Sequence, residues 1–520
     1  MAKIALSLSG GGFRAAAYHL GLLSYLNHLK TNDNTPLLDH VSAVSTISGG
    51  TLTGLWLILG KARGMTNDQS LHALYELLLN SDICGRGSRE FFCGKNKNNS
   101  LIREMTEIYD EEIFHGATMG DLMKAIDSIS IDDFSANATE FSNATGFRFQ
   151  VGKKQKTDKG GTSQGTIGNA FYKIPREVAS QIRLSEVFAA SSCFPGGFEP
   201  LFFPRDFKLS QNPANADYIA KAESLALMDG GIVDNQGIEP IVLLRKRRDI
   251  DLFIISDAGR GQDKPFGYEE SNVMDSLTVH KVNVGLNVAI LALAQFLLWV
   301  PKGFWFGFFL ALTIVFLSMR LATALTTRHL LNRYSQLVPF SFHWKGLLRI
   351  SFSKYINLIA SRAKSMYQLT NKVFLKHIRS LNYATVYGDD AWQNRRIMNA
   401  LYELCTGKNW GKHLTADEEV LMAPSEAILA ASDKAASMNT TLWWSEKDRA
   451  EGKPEALMAT GQYNICWNLL EFIYRLRRNN ENLGEGSSVI IELQEKLEAD
   501  WQRFKDDPYW MLKEFRKEGE

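Results

Sequence analysis

Near its N-terminus the chain alternates short unbroken apolar runs with longer runs whose apolar residues recur at helical spacing. Lys3 to Ser9, KIALSLS, reads as a buried strand, and RAAAYHLGLLSYLNHL from Arg14 has the alanine and leucine spacing of a helix. The pair then repeats, with DHVSAVST as a second strand and GGTLTGLWLILGKARG as a second apolar helix. Strand, turn and helix in series predict an α/β fold around a mostly parallel sheet. LALMDGG and DLFIISDAG supply two more buried strands, each ending on an aspartate. Residues 65 to 150 read as largely helical and polar, and residues 152 to 169, GKKQKTDKGGTSQGTIGN, as a soluble loop.

The texture changes at residue 284. Val284 to Val300 carries no charge, nor does Gly303 to Met319, and only Pro301 and Lys302 part them. Each stretch is at the short end of what spans a hydrocarbon core as a helix. His280, Lys281, Arg320, Arg328 and Arg333 flank the pair, and Trp299, Phe304 and Trp305 gather at its tip. This pattern predicts a membrane hairpin over residues 284 to 325 with both outer ends on the cytoplasmic side. A buried helix pair is the alternative, suggested by Asn287 and Gln295. From residue 331 to 520 the chain reads as a helical region.

Composition removes several function classes. Lys and Arg number 58 against 57 Asp and Glu, so no charge bias points to nucleic acid. Five cysteines without motif spacing argue against a disulfide framework or a zinc site, and no other metal or cofactor is implied. Ile4 to Leu8 is too brief for the apolar core of a secretory signal, and a reducing, cytoplasm-facing setting is expected.

The chemistry begins at Gly10, Gly11 and Gly12, between the first strand and the first helix. A glycine turn into a helix exposes backbone N–H groups to negative charge. Gly10, Gly12 and Ala15 satisfy the G-x-G-x-x-[GA] pattern of a pyrophosphate cradle, but the acidic residue such a site wants at the end of the second strand is missing. That strand instead runs into STISGGT. Ser48, with Gly49 and Gly50 before a helix, has the setting of a nucleophile elbow, with Gly50 in its turn. Thr46 stands where G-x-S-x-G asks for glycine. The glycine run is then an oxyanion hole.

A serine nucleophile needs a base. Asp229 ends a strand and is followed by Gly230 and Gly231, so it is preferred to its competitors Asp234 and Asp257. His280 follows in the hydrolase order but lies beside the hairpin, and His19 reads as a packed or surface residue. RKRR at 245 to 248 reads as a solvated helix end, with anionic lipid headgroups as the alternative partner. Cys193 reads as a small packed residue.

Together SGGGFRA, STISGG and MDGGIVDN resemble the patatin-like phospholipases, in order, over about residues 3 to 260. SGGGFRA is especially similar to the cytosolic phospholipases, and AASSCFPGGFEP resembles the segment before the catalytic aspartate in bacterial patatin-like proteins. The resemblance implies a three-layer sandwich, with a catalytic domain over 1–265 on which the 331–520 region packs. It also implies a Ser48–Asp229 dyad acting on membrane phospholipid esters through an acyl-enzyme, and Arg14 as the ligand of the substrate phosphate. A non-catalytic membrane module that keeps the fold is the competing expectation, and Thr46 is the feature in its favour.

Overall fold

The computed structural model describes residues 3–92, 100–156, 162–163, 165–245, 247–259, 267, 276–335, 351–410, 414–441, 443–479 and 485–519. The chain divides into two compact units, one of Met1–Asp263 with Phe374–Glu520, the other of Lys264–Val373.

The first unit is built on an eight-stranded mixed sheet among the described residues. Its strands are β1 (Ile4–Leu8), β2 (Val41–Ile47), β3 (Asp133–Glu140), β4 (Thr145–Gly152), β5 (Leu201–Phe203), β6 (Leu225–Asp229), β7 (Leu252–Asp257) and β8 (Arg396–Ala400). They lie in the order β8-β7-β1-β2-β3-β6-β5, with β4 also paired to β3. From β8 to β3 every pairing is parallel; β4, β6 and β5 add antiparallel ladders. Successive side chains of a strand face opposite sides. Accordingly Leu252 and Ile254 enter one core while Phe253 and Ile255 enter the other, with Ile238, Ile241 and Trp392. Two cores, one on each face, make the three-layer α/β sandwich.

Two helices follow the first two strands: α1 (Gly12–His28) after β1, and α2 (Gly49–Ala62) after β2. The long helix Lys453–Asn479 crosses α1 where Gly21 meets Gly461; a Cβ on Gly21 would strike Met458 O at 2.0 Å, and one on Gly461 would strike Tyr18 O at 2.1 Å.

Several expectations need correction. Residues 133–150, within the stretch expected to be largely helical, instead form β3, a turn and most of β4. All of β3 is buried, yet its sequence is DFSANATE. Its small polar side chains are satisfied inside the sheet: Ser135 Oγ donates to Asn137 Oδ1 at 2.7 Å, and Asn137 Nδ2 donates to Thr46 O at 2.9 Å. Hydropathy therefore carried no strand signal there. The C-terminal region is not wholly helical, since it supplies the edge strand β8. In the supposed loop, Gln155–Lys156 pairs with Thr162–Ser163, while 157–161 and 164 lie outside the described residues.

In the second unit the apolar stretches form the helices Val279–Leu297 and Phe304–Ser335. Within them His280–Leu297 and Phe304–Leu325 are long and apolar enough to cross a membrane, and 0% and 6% of those windows is buried in the protein. Leu291, Leu298, Trp299, Phe304 and Trp305 are exposed, as a buried helix pair would not leave them. Asn287, read as a hint of such burial, accepts from Arg320 Nε at 3.2 Å across the pair.

Candidate active site

Ser48 sits between the last residue of β2 and the first of α2, with φ 49° and ψ −119°. A non-glycine residue rarely holds this backbone, which costs on the order of 1–3 kcal/mol. The turn is compressed against the glycine run: a Cβ at residue 49 would meet Gly12 O at 2.0 Å, and one at 50 would meet Leu8 O at 2.3 Å. Only glycine lets the two turns touch. The Ser48 N–H donates to Ser191 Oγ at 2.9 Å, and that hydroxyl donates onward to Asn137 O at 2.7 Å. Ser191 belongs to α3 (Leu184–Ser192) and went unremarked as a site residue, though the segment AASSCFPGG carries it.

Thr46 is absorbed by repacking. Its hydroxyl donates to Ser135 O at 3.2 Å and accepts from Thr51 Oγ1 at 3.1 Å. Its methyl fills the space beside Gly54 of α2, where a Cβ would stand 2.4 Å from Thr46 Cγ2. The space for its side chain comes from the facing helix, through Gly54.

Asp229 meets Ser48 because two strands share one edge of β3. β2 runs parallel along that edge until Ile47 lies opposite Asn137. β6 comes from the other end, antiparallel, and stops with Asp229 opposite Ala138. Their tips converge on neighbouring residues. Asp229 is held on three sides: its N–H donates to Cys193 O at 2.9 Å, its C=O accepts from Thr139 Oγ1 at 2.9 Å, and its Oδ1 accepts from Gly231 N–H at 2.7 Å. Burial pushes its carboxyl above the ordinary aspartate range, and the Gly231 amide, the Ser48 side chain and the Arg379 charge pull the other way.

The glycine run is less uniform than its sequence. Gly10 N–H donates to Asn235 O at 3.0 Å, so that amide is committed. Gly11 and Gly12 have φ of 148° and 63°, and among the described residues their amides meet no protein acceptor. Asn235, another residue the sequence reading passed over, lies with its side-chain oxygen against both Gly10 and Gly231. The next amide, Phe13 N–H, donates to Thr441 O at 2.7 Å, and a Cβ at Gly12 would strike that same carbonyl at 2.1 Å.

Arg14 is not presented to a ligand. Its guanidinium is buried and donates to Ala258 O at 2.6 Å, Tyr402 Oη at 3.0 Å and Met438 O at 3.3 Å. It ties the first helix turn to the C-terminal segment, and these acceptors offset the cost of burying the charge.

The competitors are engaged elsewhere. Asp234 accepts from the Gln236, Gly237 and Glu239 amides, at the start of helix Ile238–Leu244; burial raises its pKa to about 6. Asp257 accepts from Gln236 Nε2 and the Gly259 amide. His280 is exposed on the first apolar helix. His19 is buried beneath the glycine turn, with Nε2 3.0 Å from Ser9 O and Nδ1 3.0 Å from Ser256 Oγ. Within RKRR, Arg245 stacks on Trp392 at 4.7 Å, Arg248 pairs with Asp133, and Lys246 lies outside the described residues. Arg245 and Arg248 are thus structural ties, and Arg247 is exposed. Cys193 is buried, donating to Glu199 O at 2.8 Å.

A mixed α/β sheet thus packs a glycine turn on a strained serine and brings an aspartate to the same edge of β3. Residues 6–242 match the sequence model "Patatin-like phospholipase". Among solved structures the chain is similar to human GIVD cytosolic phospholipase A2, at 14% identity and TM-score 0.33, over 49% of this chain and 43% of that one. The same enzyme in complex with methyl gamma-linolenyl fluorophosphonate inhibitor and terbium chloride matches at 17% and 0.30, over 49% and 40%. The chain thus spans less than half the length of these neighbours. No curated protein matches it.

Proposed function

We propose that the protein is a membrane-attached serine acyl hydrolase that cleaves fatty-acyl esters of glycerophospholipids with Ser48 and Asp229. The observation that carries this reading is the shared β3 edge, which sets a strained serine and a desolvated carboxylate tip to tip. Asp229, ionised, accepts the Ser48 proton as Oγ adds to the ester carbonyl. The resulting oxyanion is met by the Gly11 and Gly12 amides; Gly10 contributes shape rather than a donor. Collapse expels the glycerol oxygen, which takes the proton from Asp229 and leaves an acyl-Ser48 ester. Water, deprotonated by Asp229, then releases the fatty acid and restores the serine.

The competing module loses its one favouring feature, because Gly54 accommodates Thr46. Membrane attachment is assigned to the exposed helices Val279–Leu297 and Phe304–Ser335, crossing as a hairpin with the hydrolase on the cytoplasmic side. The domain assignment that goes with it is a hydrolase of residues 1–265 completed by residues 374–520 rather than by the whole of 331–520.

The test is fatty-acid release from mixed phospholipid vesicles by the parent, Ser48→Ala and Asp229→Asn, each checked for folding. Release by the parent with at least about a thousandfold loss in both variants is expected. Equal rates in all three would overturn the dyad. Covalent labelling by a fluorophosphonate probe should require Ser48.

A further inference from the structure

With Arg14 committed to three protein acceptors, a phospholipid whose ester lies at Ser48 needs another cation for its phosphate. We infer that Arg379, outside the patatin-like segment, receives the anionic phosphate of the substrate and so sets the preference for phospholipids over neutral esters. The inference rests on the reading of the site as an acyl hydrolase.

Arg379 lies on helix Leu375–Tyr387, one face of which is laid along the turn that follows Asp229. Arg379 Nε donates to Gly231 O at 2.5 Å, Asn382 Nδ2 to Val233 O at 2.9 Å, and Tyr387 Oη to Gln236 Oε1 at 3.1 Å. The guanidinium is thereby fixed within electrostatic reach of Asp229 while its side chain stays half-exposed. Nε alone is used, and among the described residues the two terminal nitrogens meet no acceptor and no carboxylate pairs with the side chain. Those nitrogens form the fork that binds phosphate through two parallel hydrogen bonds.

The spacing suits the substrate's covalent structure. In a glycerophospholipid the ester carbonyl and the phosphorus are separated only by the ester oxygen, glycerol carbons and the phosphoester oxygen. A lipid with its carbonyl on Ser48 therefore carries its phosphate close to Asp229, where it would meet an anion unless a cation stood between. Arg379 supplies that cation, already held by a main-chain carbonyl, so little side-chain freedom is lost on binding. A neutral ester draws nothing from it.

The experiment compares kcat/KM of the full-length parent, Arg379→Gln and Arg379→Lys on phosphatidylcholine vesicles and on a neutral p-nitrophenyl ester. The readout is the ratio of the two substrates, because any loss common to both reports only the hold on Gly231. A fall in the ratio of about tenfold to a hundredfold in Arg379→Gln is expected, the range for hydrogen bonds to a charged group, with partial recovery in Arg379→Lys. Proportional loss on both substrates, leaving the ratio unchanged, would overturn the inference and make Arg379 a positioning residue. An unchanged ratio, with inorganic phosphate inhibiting ester hydrolysis in the parent but not in Arg379→Gln, would make the ligand free phosphate and overturn the headgroup assignment. A parent silent on both substrates would instead overturn the hydrolase reading, and this inference with it.

Discussion

Thr46 and Gly54 exchange volume across the β2–α2 interface. Gly54→Ala places a methyl 2.4 Å from Thr46 Cγ2, and overpacking of this kind costs about 1–3 kcal/mol. Thr46→Ser deletes that methyl and keeps the hydroxyl bonded to Ser135 O. Thermal melts should show Gly54→Ala lowered and the double variant largely restored; additive losses would break the account. His19 gives a pH signature. Burial lowers its pKa to about 4 from an ordinary 6.5, so the folded state binds its proton less readily than the unfolded chain. Its contribution, about 3 kcal/mol, is complete above pH 6.5 and is lost as pH falls from 6.5 through 4. Melting temperatures across that window should fall more steeply in the parent than in His19→Gln. For Asp229 burial dominates and raises the pKa, so the carboxylate protonates above the usual aspartate range. The acid limb of kcat/KM for vesicle hydrolysis is expected above pH 3.8, with activity lost as pH drops through it.

At the level of elements, α3 supports the elbow from below. Ser191 Oγ links the Ser48 amide, Thr51 and the Asn137 carbonyl in one hydroxyl network. Ser191→Ala leaves the buried Ser48 N–H without its acceptor, a loss of about 1–3 kcal/mol. A drop of at least about tenfold in kcat, with KM nearly constant, should follow; an unchanged kcat would show that the elbow stands without this support. Ser191, Asn235 and Arg379 were not legible as site residues, because each acts through a partner distant in sequence. Ser48, Asp229 and the glycines stood out as candidates because turn chemistry is local: strand ends that need small neighbours spell them in glycine. What Arg14 does with its charge was not local, since Tyr402 and Met438 are its acceptors.

On the scale of the molecule, the patatin-like segment of residues 6–242 does not complete its own sheet. Strand β8, from residues 396–400, extends the parallel ladder beyond β7, and Thr441 takes the Phe13 amide beside the glycine turn. The hairpin carries a prediction at this scale. The full-length protein should stay with membranes through alkaline carbonate washing, and arginine at both Leu291 and Ile314 should release it; extraction of the parent by salt alone would show that the helices do not span.

By itself the sequence determined the local grammar: an α/β alternation, glycine turns at strand ends, a serine and an aspartate set in them, and two uncharged stretches long enough to form helices. These follow from steric and solvation rules acting over a few residues. Only the tertiary structure decided that β3 is a strand, since its polar side chains are paid for by partners in neighbouring strands. It also decided that Gly10 is committed, that Arg14 is a buried tie, and that Arg379 stands beside Asp229. Those outcomes depend on which distant donor meets which acceptor, and the fold sets that.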